Sequence, residues 1–123
     1  IFAAPRGELR FDPARVAGGI PMSGVFEFEP LRHYSFNSEF RLDPAAVARL
    51  DLAPRSRTIA APLVVAAGAG ESSEFQRQSR VLAEAWRPQA RPLLLLPGVH
   101  HFGIVDAFAE RGQPLHEAAL GFF

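Results

Sequence analysis

The chain predicts an α/β fold built on a parallel sheet, and three observations carry that expectation. Three apolar runs, at 16–25, 62–68 and 91–97, are bounded by glycine or proline and are continuous rather than alternating. Continuous runs mark strands buried on both faces, whereas a strand with one wet face alternates apolar and polar side chains. Helical periodicity occupies the stretches between the runs, which supplies the crossover connections that parallel strands need.

Taken in order, Phe11-Asp12-Pro13 is a turn that leads into the first run. Phe26-Glu27-Phe28-Glu29 alternates apolar and acidic residues, as a strand end or extended loop does, and the aromatic-rich stretch 30–40 reads as an irregular surface excursion. Asp43 followed by Pro44 is an N-cap with proline at the first helical position, so 43–50 is a short helix. Residues 51–61 are a proline-marked connection into the second run. From Ser72 the period changes: Ser72 or Ser73 caps, Glu74 sits in the first turn, and Phe75, Leu82 and Trp86 share one face until Pro88 stops the helix. The third run exits through Gly98-Val99-His100-His101, and helices are expected at 102–111 and 113–123. A sheet of about three parallel strands leaves a long exposed edge, so residues 1–123 are expected to form one partial domain, part of a larger sheet.

Composition narrows the function. An apolar content of 48% with 21% charge excludes disorder, and thirteen basic residues against thirteen acidic ones leave no net charge to attract nucleic acid or anionic lipid. The longest apolar stretches are too short to cross a bilayer, and residues 1–6 lack the pattern of a signal peptide. A fragment or processed cytoplasmic chain with no membrane or nucleic-acid partner is expected. The absence of cysteine excludes disulfides, thiol catalysis and cysteine-ligated metals, and the four histidines show no ligand spacing, so no metal site is expected. Gly68-Ala69-Gly70 lacks the later glycine of a dinucleotide fingerprint.

In open parallel sheets, ligands bind beyond the carboxyl ends of the strands. The exit after the second run offers carboxylates, Glu71 with Glu74 as its competitor, and the exit after the third offers imidazoles, His101 with His100 beside it. Glu74 falls in a first helical turn, where the helix dipole favours an acid without any catalytic duty. An acid that orients a histidine, and a histidine that takes a proton from a weak nucleophile, are two-thirds of a nucleophilic triad. The order acid before histidine matches the serine–acid–histidine order of α/β-hydrolases.

The run Glu71-Ser72-Ser73-Glu74-Phe75-Gln76-Arg77-Gln78-Ser79, the loop Val99-His100-His101-Phe102, the stretch Ser23-Gly24-Val25-Phe26-Glu27-Phe28-Glu29-Pro30-Leu31 and the segment 37–43 together resemble the C-terminal half of kynurenine formamidase (arylformamidase)-like esterases of the α/β-hydrolase superfamily. The resemblance runs from about Leu9 onward. It implies Glu71 as the triad acid and His101 as the base, a small ester or N-formyl amide substrate, and no cofactor. Two departures stand out: the acid of the family is often aspartate, and Gly103 replaces a frequent acidic residue. No Gly-x-Ser-x-Gly elbow and no His-Gly-Gly oxyanion loop occur, and Met22-Ser23-Gly24 does not replace the elbow. The nucleophile is therefore expected from an upstream segment or a companion chain. A second reading is a non-catalytic hydrolase half whose exposed sheet edge serves assembly with another chain or with its own copy. Arg77, Gln78 and Arg80 are expected to form a solvated helix face or to pair with nearby acids, and Phe26, Phe28, Tyr34, Phe36 and Phe40 to serve packing, with an aryl pocket as the alternative.

Overall fold

The structure, a computed structural model, describes residues 2–4 and 6–123; Ile1 and Pro5, within the opening stretch read above, lie outside the described residues. Strand β1 (Ala66–Gly68) pairs in parallel with β2 (Leu94–Leu96), Ala66 opposite Leu94 and Gly68 opposite Leu96. The first apolar run lies along the other side of β1 through parallel bridges at Gly19–Leu63 and Met22–Ala66. Mixed α/β architecture around a parallel sheet is thus present, but the regular strands are shorter than the runs that predicted them.

A proline on one edge and an extra residue on the other explain the shortening. Gly19 donates to Pro62 O (3.0 Å) and accepts from Val64 N (3.0 Å), and two residues on Pro21 O accepts from Ala66 N (2.9 Å) and Ser23 N donates to Ala66 O (2.9 Å). The rung between them needs an N–H at position 21, which proline lacks, so the expected strand over 16–25 is reduced to bridges. On the other edge, Leu63 pairs with Ala90 while Ala66 pairs with Leu94, so the second partner carries one extra residue between the two pairings. That residue is absorbed at Arg91-Pro92-Leu93, and the expected strand over 91–97 contracts to Leu94–Leu96.

The 30–40 excursion is more regular than expected: a 3-10 helix (Glu29–His33) leads to α1 (Asn37–Phe40). Helix α2 (Pro44–Leu50) starts where its cap predicts, with Asp43 Oδ1 accepting from Ala46 N at 2.7 Å. Helix α3 (Ser73–Ala85) follows Ser72, whose hydroxyl accepts from Phe75 N at 3.4 Å. Helices α4 (Gly103–Ala109) and α5 (Pro114–Leu120) occupy the cores of the two expected C-terminal helices. No helix among the described residues is long and apolar enough to cross a membrane.

Successive residues of the central strand point to opposite faces, and each face has its own apolar cluster. Leu63 and Val65 pack with Phe26, Leu82, Ala83, Trp86 and Ala90, so α3 covers one side; Ala66 and Leu96 pack with Ile104, Ala107 and Leu115, so α4 and α5 cover the other. On α3 the buried stripe is Gln78, Ser79, Leu82 and Ala83, while Phe75 is only half-buried. Gln78 is the correction to the expected solvated face: its side-chain oxygen accepts from Phe26 N (2.9 Å) and Glu27 N (2.8 Å), and its amide nitrogen donates to Glu27 O (2.9 Å) and Glu74 Oε1 (2.9 Å). It pins the chain leaving the first bridged segment onto α3, where that chain has no strand partner to satisfy its backbone.

Removing this amide orphans two backbone donors next to the buried Phe26. Gln78→Leu should therefore destabilise the fold by about 3 kcal/mol in denaturant titration, since each unsatisfied buried donor costs roughly 1–3 kcal/mol. A loss below about 0.5 kcal/mol, the range of an ordinary surface substitution, would contradict the clamp.

Candidate active site

All three sheet segments run in the same direction, so their exits lie at one edge, and the candidate site is assembled there. Ser23 ends the first bridged segment, Gly68 ends β1, and the loop 97–102 leaves β2. The last two exits are stitched together by backbone: Ala69 N donates to Leu96 O at 2.8 Å and Gly70 N to Val99 O at 2.9 Å. A Cβ on Gly68 would collide with the Val99 carbonyl, so only glycine lets the two loops approach this closely.

This approach brings Glu71 and His101 together. Glu71 N donates back to Gly68 O at 3.2 Å, closing a tight turn that folds the side chain over the strand end. Its Oε1 accepts from Gly68 N at 2.6 Å and from the Ser23 hydroxyl, and its Oε2 faces His101 Nδ1 at 3.0 Å. The Glu71 side chain has no exposed surface. Burial pushes its carboxyl up, but the hydrogen bonds from Ser23, Gly68 and His101, with the charge of His101, outweigh that and hold it below the ordinary glutamate value. An ionised carboxylate only accepts, so His101 donates to it through Nδ1, and Nε2 is the ring nitrogen left for other partners. The His101 ring stacks on Phe75, centroids 4.3 Å apart, meets the edge of Phe102, and leaves 41% of its side chain open to solvent.

The two competitors lie elsewhere. His100 is exposed and accepts from Gly103 N at 3.3 Å at the start of α4. Glu74 takes two hydrogen bonds from Arg77, at 2.8 and 2.7 Å, while Arg77 also reaches Glu27 at 2.6 Å. Arg77 thus pairs with acids as expected, and Arg80 is exposed. Beside Phe75 a cavity of about 230 Å³ is lined by Val25, Leu31, Tyr34, Phe36 and Ser72, whereas Phe26 belongs to the core and Phe40 is exposed. Among the described residues no cluster of three or more histidine, aspartate or glutamate side chains is placed to hold a metal ion.

Sequence reasoning missed Ser23, Gly68, Phe75 and Gln78 as parts of this neighbourhood. The signal for Ser23 was available: it closes an apolar run, and parallel runs end on one edge. Gly68 and Gln78 become visible only once Val99 and Phe26 are in place.

Solved structures share this fold. A provisionally named thioesterase from Silicibacter sp. TM1040 aligns with a TM-score of 0.76 and 26% identity over 84% of this chain and 38% of that one. A provisionally named non-heme bromoperoxidase, BpoC, from Mycobacterium tuberculosis aligns with a TM-score of 0.53 and 22% identity over 90% of this chain and 59% of that one. The chain therefore spans well under half the length of the first and under two-thirds of the second, and it shares a hydrolase-type α/β fold with them. Neither the protein-family models nor the curated protein sequences match it.

Two outcomes follow from the geometry. Gly68→Ala should push the Val99 loop away and break the contact between His101 and Glu71. The readout is the downfield Nδ1 proton signal of a carboxylate-bonded histidine, and its survival in a folded variant would contradict the close-approach argument. Glu71 has a folded-state pKa below its ordinary 4.5, so its contribution to stability is complete above that value and is lost as the pH falls through the lower folded-state value. Glu71→Gln should lower the melting temperature near neutral pH and flatten its fall on the acid side. An acid slope identical to that of the parent would count against an ionised, buried Glu71.

Proposed function

We propose that this chain supplies the acid and the base of a serine hydrolase, Glu71 and His101, acting on small esters or N-formyl amides in the manner of arylformamidase-like esterases. The observation that carries the reading is a single one: a fully buried, ionised carboxylate bonded to Nδ1 of a half-exposed histidine, on neighbouring strand exits. A surface ion pair contributes little to stability, so burying a carboxylate completely to hold one histidine in one tautomer favours a chemical use.

The nucleophilic serine comes, in this reading, from a segment of the whole protein outside these residues or from a companion chain. As its oxygen attacks the substrate carbonyl, its proton passes to His101 Nε2, and Glu71 stabilises the imidazolium that forms. The same proton is then given to the leaving alcohol or amine. In the second half-reaction His101 takes a proton from water, which attacks the acyl-enzyme and regenerates the serine. The thioesterase name of the Silicibacter protein describes hydrolysis of the same general kind, with sulfur as the leaving atom. None of these steps uses a cofactor.

His101→Ala in the whole protein should lower hydrolysis of aryl esters and N-formyl amides by roughly 10³-fold or more, because general acid–base catalysis supplies about 10²–10⁴ and the histidine serves both half-reactions. Activity within about tenfold of the parent would overturn the assignment, since a missing base costs at least roughly 10².

A further inference from the structure

Ser23 is buried, 6% exposed, and holds a backbone conformation that L-residues avoid, with φ at 46°. Its amide is fixed in the bridge to Ala66, its hydroxyl donates to Glu71 Oε1, and the next residue, Gly24, lies against the Phe26 ring with no room for a Cβ. A non-glycine residue kept in the left-handed region inside a packed site is strain that the surroundings must hold in place, and such strain concentrates at functional positions.

We infer that Ser23 is a positioning residue for the acid–base pair, its hydroxyl fixing Glu71 Oε1 so that Oε2 faces His101. The inference rests on the reading of Glu71 and His101 as acid and base. A terminal carboxyl torsion is soft, so the plane of the group is set by its donors rather than by a rotamer well. Two of the three donors, Ser23 and Gly68 N, converge on one oxygen and leave the other to the imidazole. Ser23 bonds the carboxylate and not the histidine, so it is not the hydroxyl that His101 activates. Its donation also helps hold the Glu71 carboxyl below the ordinary glutamate value; without it Glu71 protonates at higher pH and stops accepting from His101. Other charged groups around the site are already engaged: Glu74 of α3 with Arg77, Arg77 also with Glu27, and His100 with Gly103 N.

The test is the pH profile of kcat/KM in the whole protein for Ser23→Gly and Ser23→Ala, beside His101→Ala. Glycine accepts the left-handed backbone and alanine keeps the Cβ, so a shift shared by both belongs to the hydroxyl. Both should move the acid limb upward by about one pH unit, as expected for losing one hydrogen bond to a charged group, with kcat reduced and KM changed by less than about twofold. A profile that keeps the parent's acid limb in Ser23→Gly, however much the activity scales down, overturns the inference. If His101→Ala is active, the acid–base reading falls and takes the inference with it. If His101→Ala is inactive while the Ser23 profiles are unshifted, only the role of Ser23 falls.

Discussion

A carboxylate with no exposed surface must find its hydrogen bonds inside the protein, and those of Glu71 come from three different strand exits. The rest of the site depends on that convergence. Parallel alignment places the exits on one edge, the glycine at position 68 lets the β1 and β2 loops touch, and the Ser23 backbone is locked by its bond to Ala66. Each donor would be out of reach if its segment ran in the opposite direction. The register of the small sheet is therefore as much a part of the acid–base geometry as the side chains are.

Helix α3 links this site to the stability of the molecule. Its N-terminal cap, Ser72, follows directly on Glu71; its first turn carries Phe75 under the His101 ring; and Leu82 and Ala83, with Trp86 at its C-terminal end, pack on Leu63 and Val65 just before β1. Between these ends Gln78 holds the chain that leaves Ser23. The same 13-residue helix thus fixes the platform for the histidine and the path of the segment that carries the serine hydroxyl. A shift of α3 along the sheet would move both at once, which is why the buried stripe below Gln78 bears on the Glu71–His101 geometry and not only on folding.

Local chemistry made the helices legible: Asp43 before Pro44 and Ser72 before an amphipathic period are caps that act through bonds to residues three positions away. The parallel runs were legible for the same kind of reason, since an apolar stretch closed by glycine or proline has few other uses. Strand length was not, because Pro21 acts on the ladder through the N–H it fails to offer to a partner far away in sequence, and the extra residue at Arg91-Pro92-Leu93 exists only relative to the register of its neighbour. Glu71 and His101 could be picked out as strand-exit residues, whereas the choice between His100 and His101, or Glu71 and Glu74, turns on loop geometry within one or two residues. Gln78 read as a surface residue because three of its four hydrogen bonds go to Phe26 and Glu27, in a loop whose position no periodicity encodes.

The choice of glutamate over aspartate at position 71 has a structural reason in this loop. The side chain folds back over its own turn, since Oε1 accepts from the amide of Gly68, three residues earlier, while Oε2 reaches His101, thirty residues later. An aspartate on the same backbone is one methylene shorter and could not hold both ends of that span without a rearranged loop. The longer chain brings an extra rotatable bond, and with it more freedom to lose on ordering. Two donors on one oxygen restrain that freedom. The serine hydroxyl, the glycine amide and the extra methylene are thus one solution to a single problem: holding a flexible acid still in a place where water cannot do it.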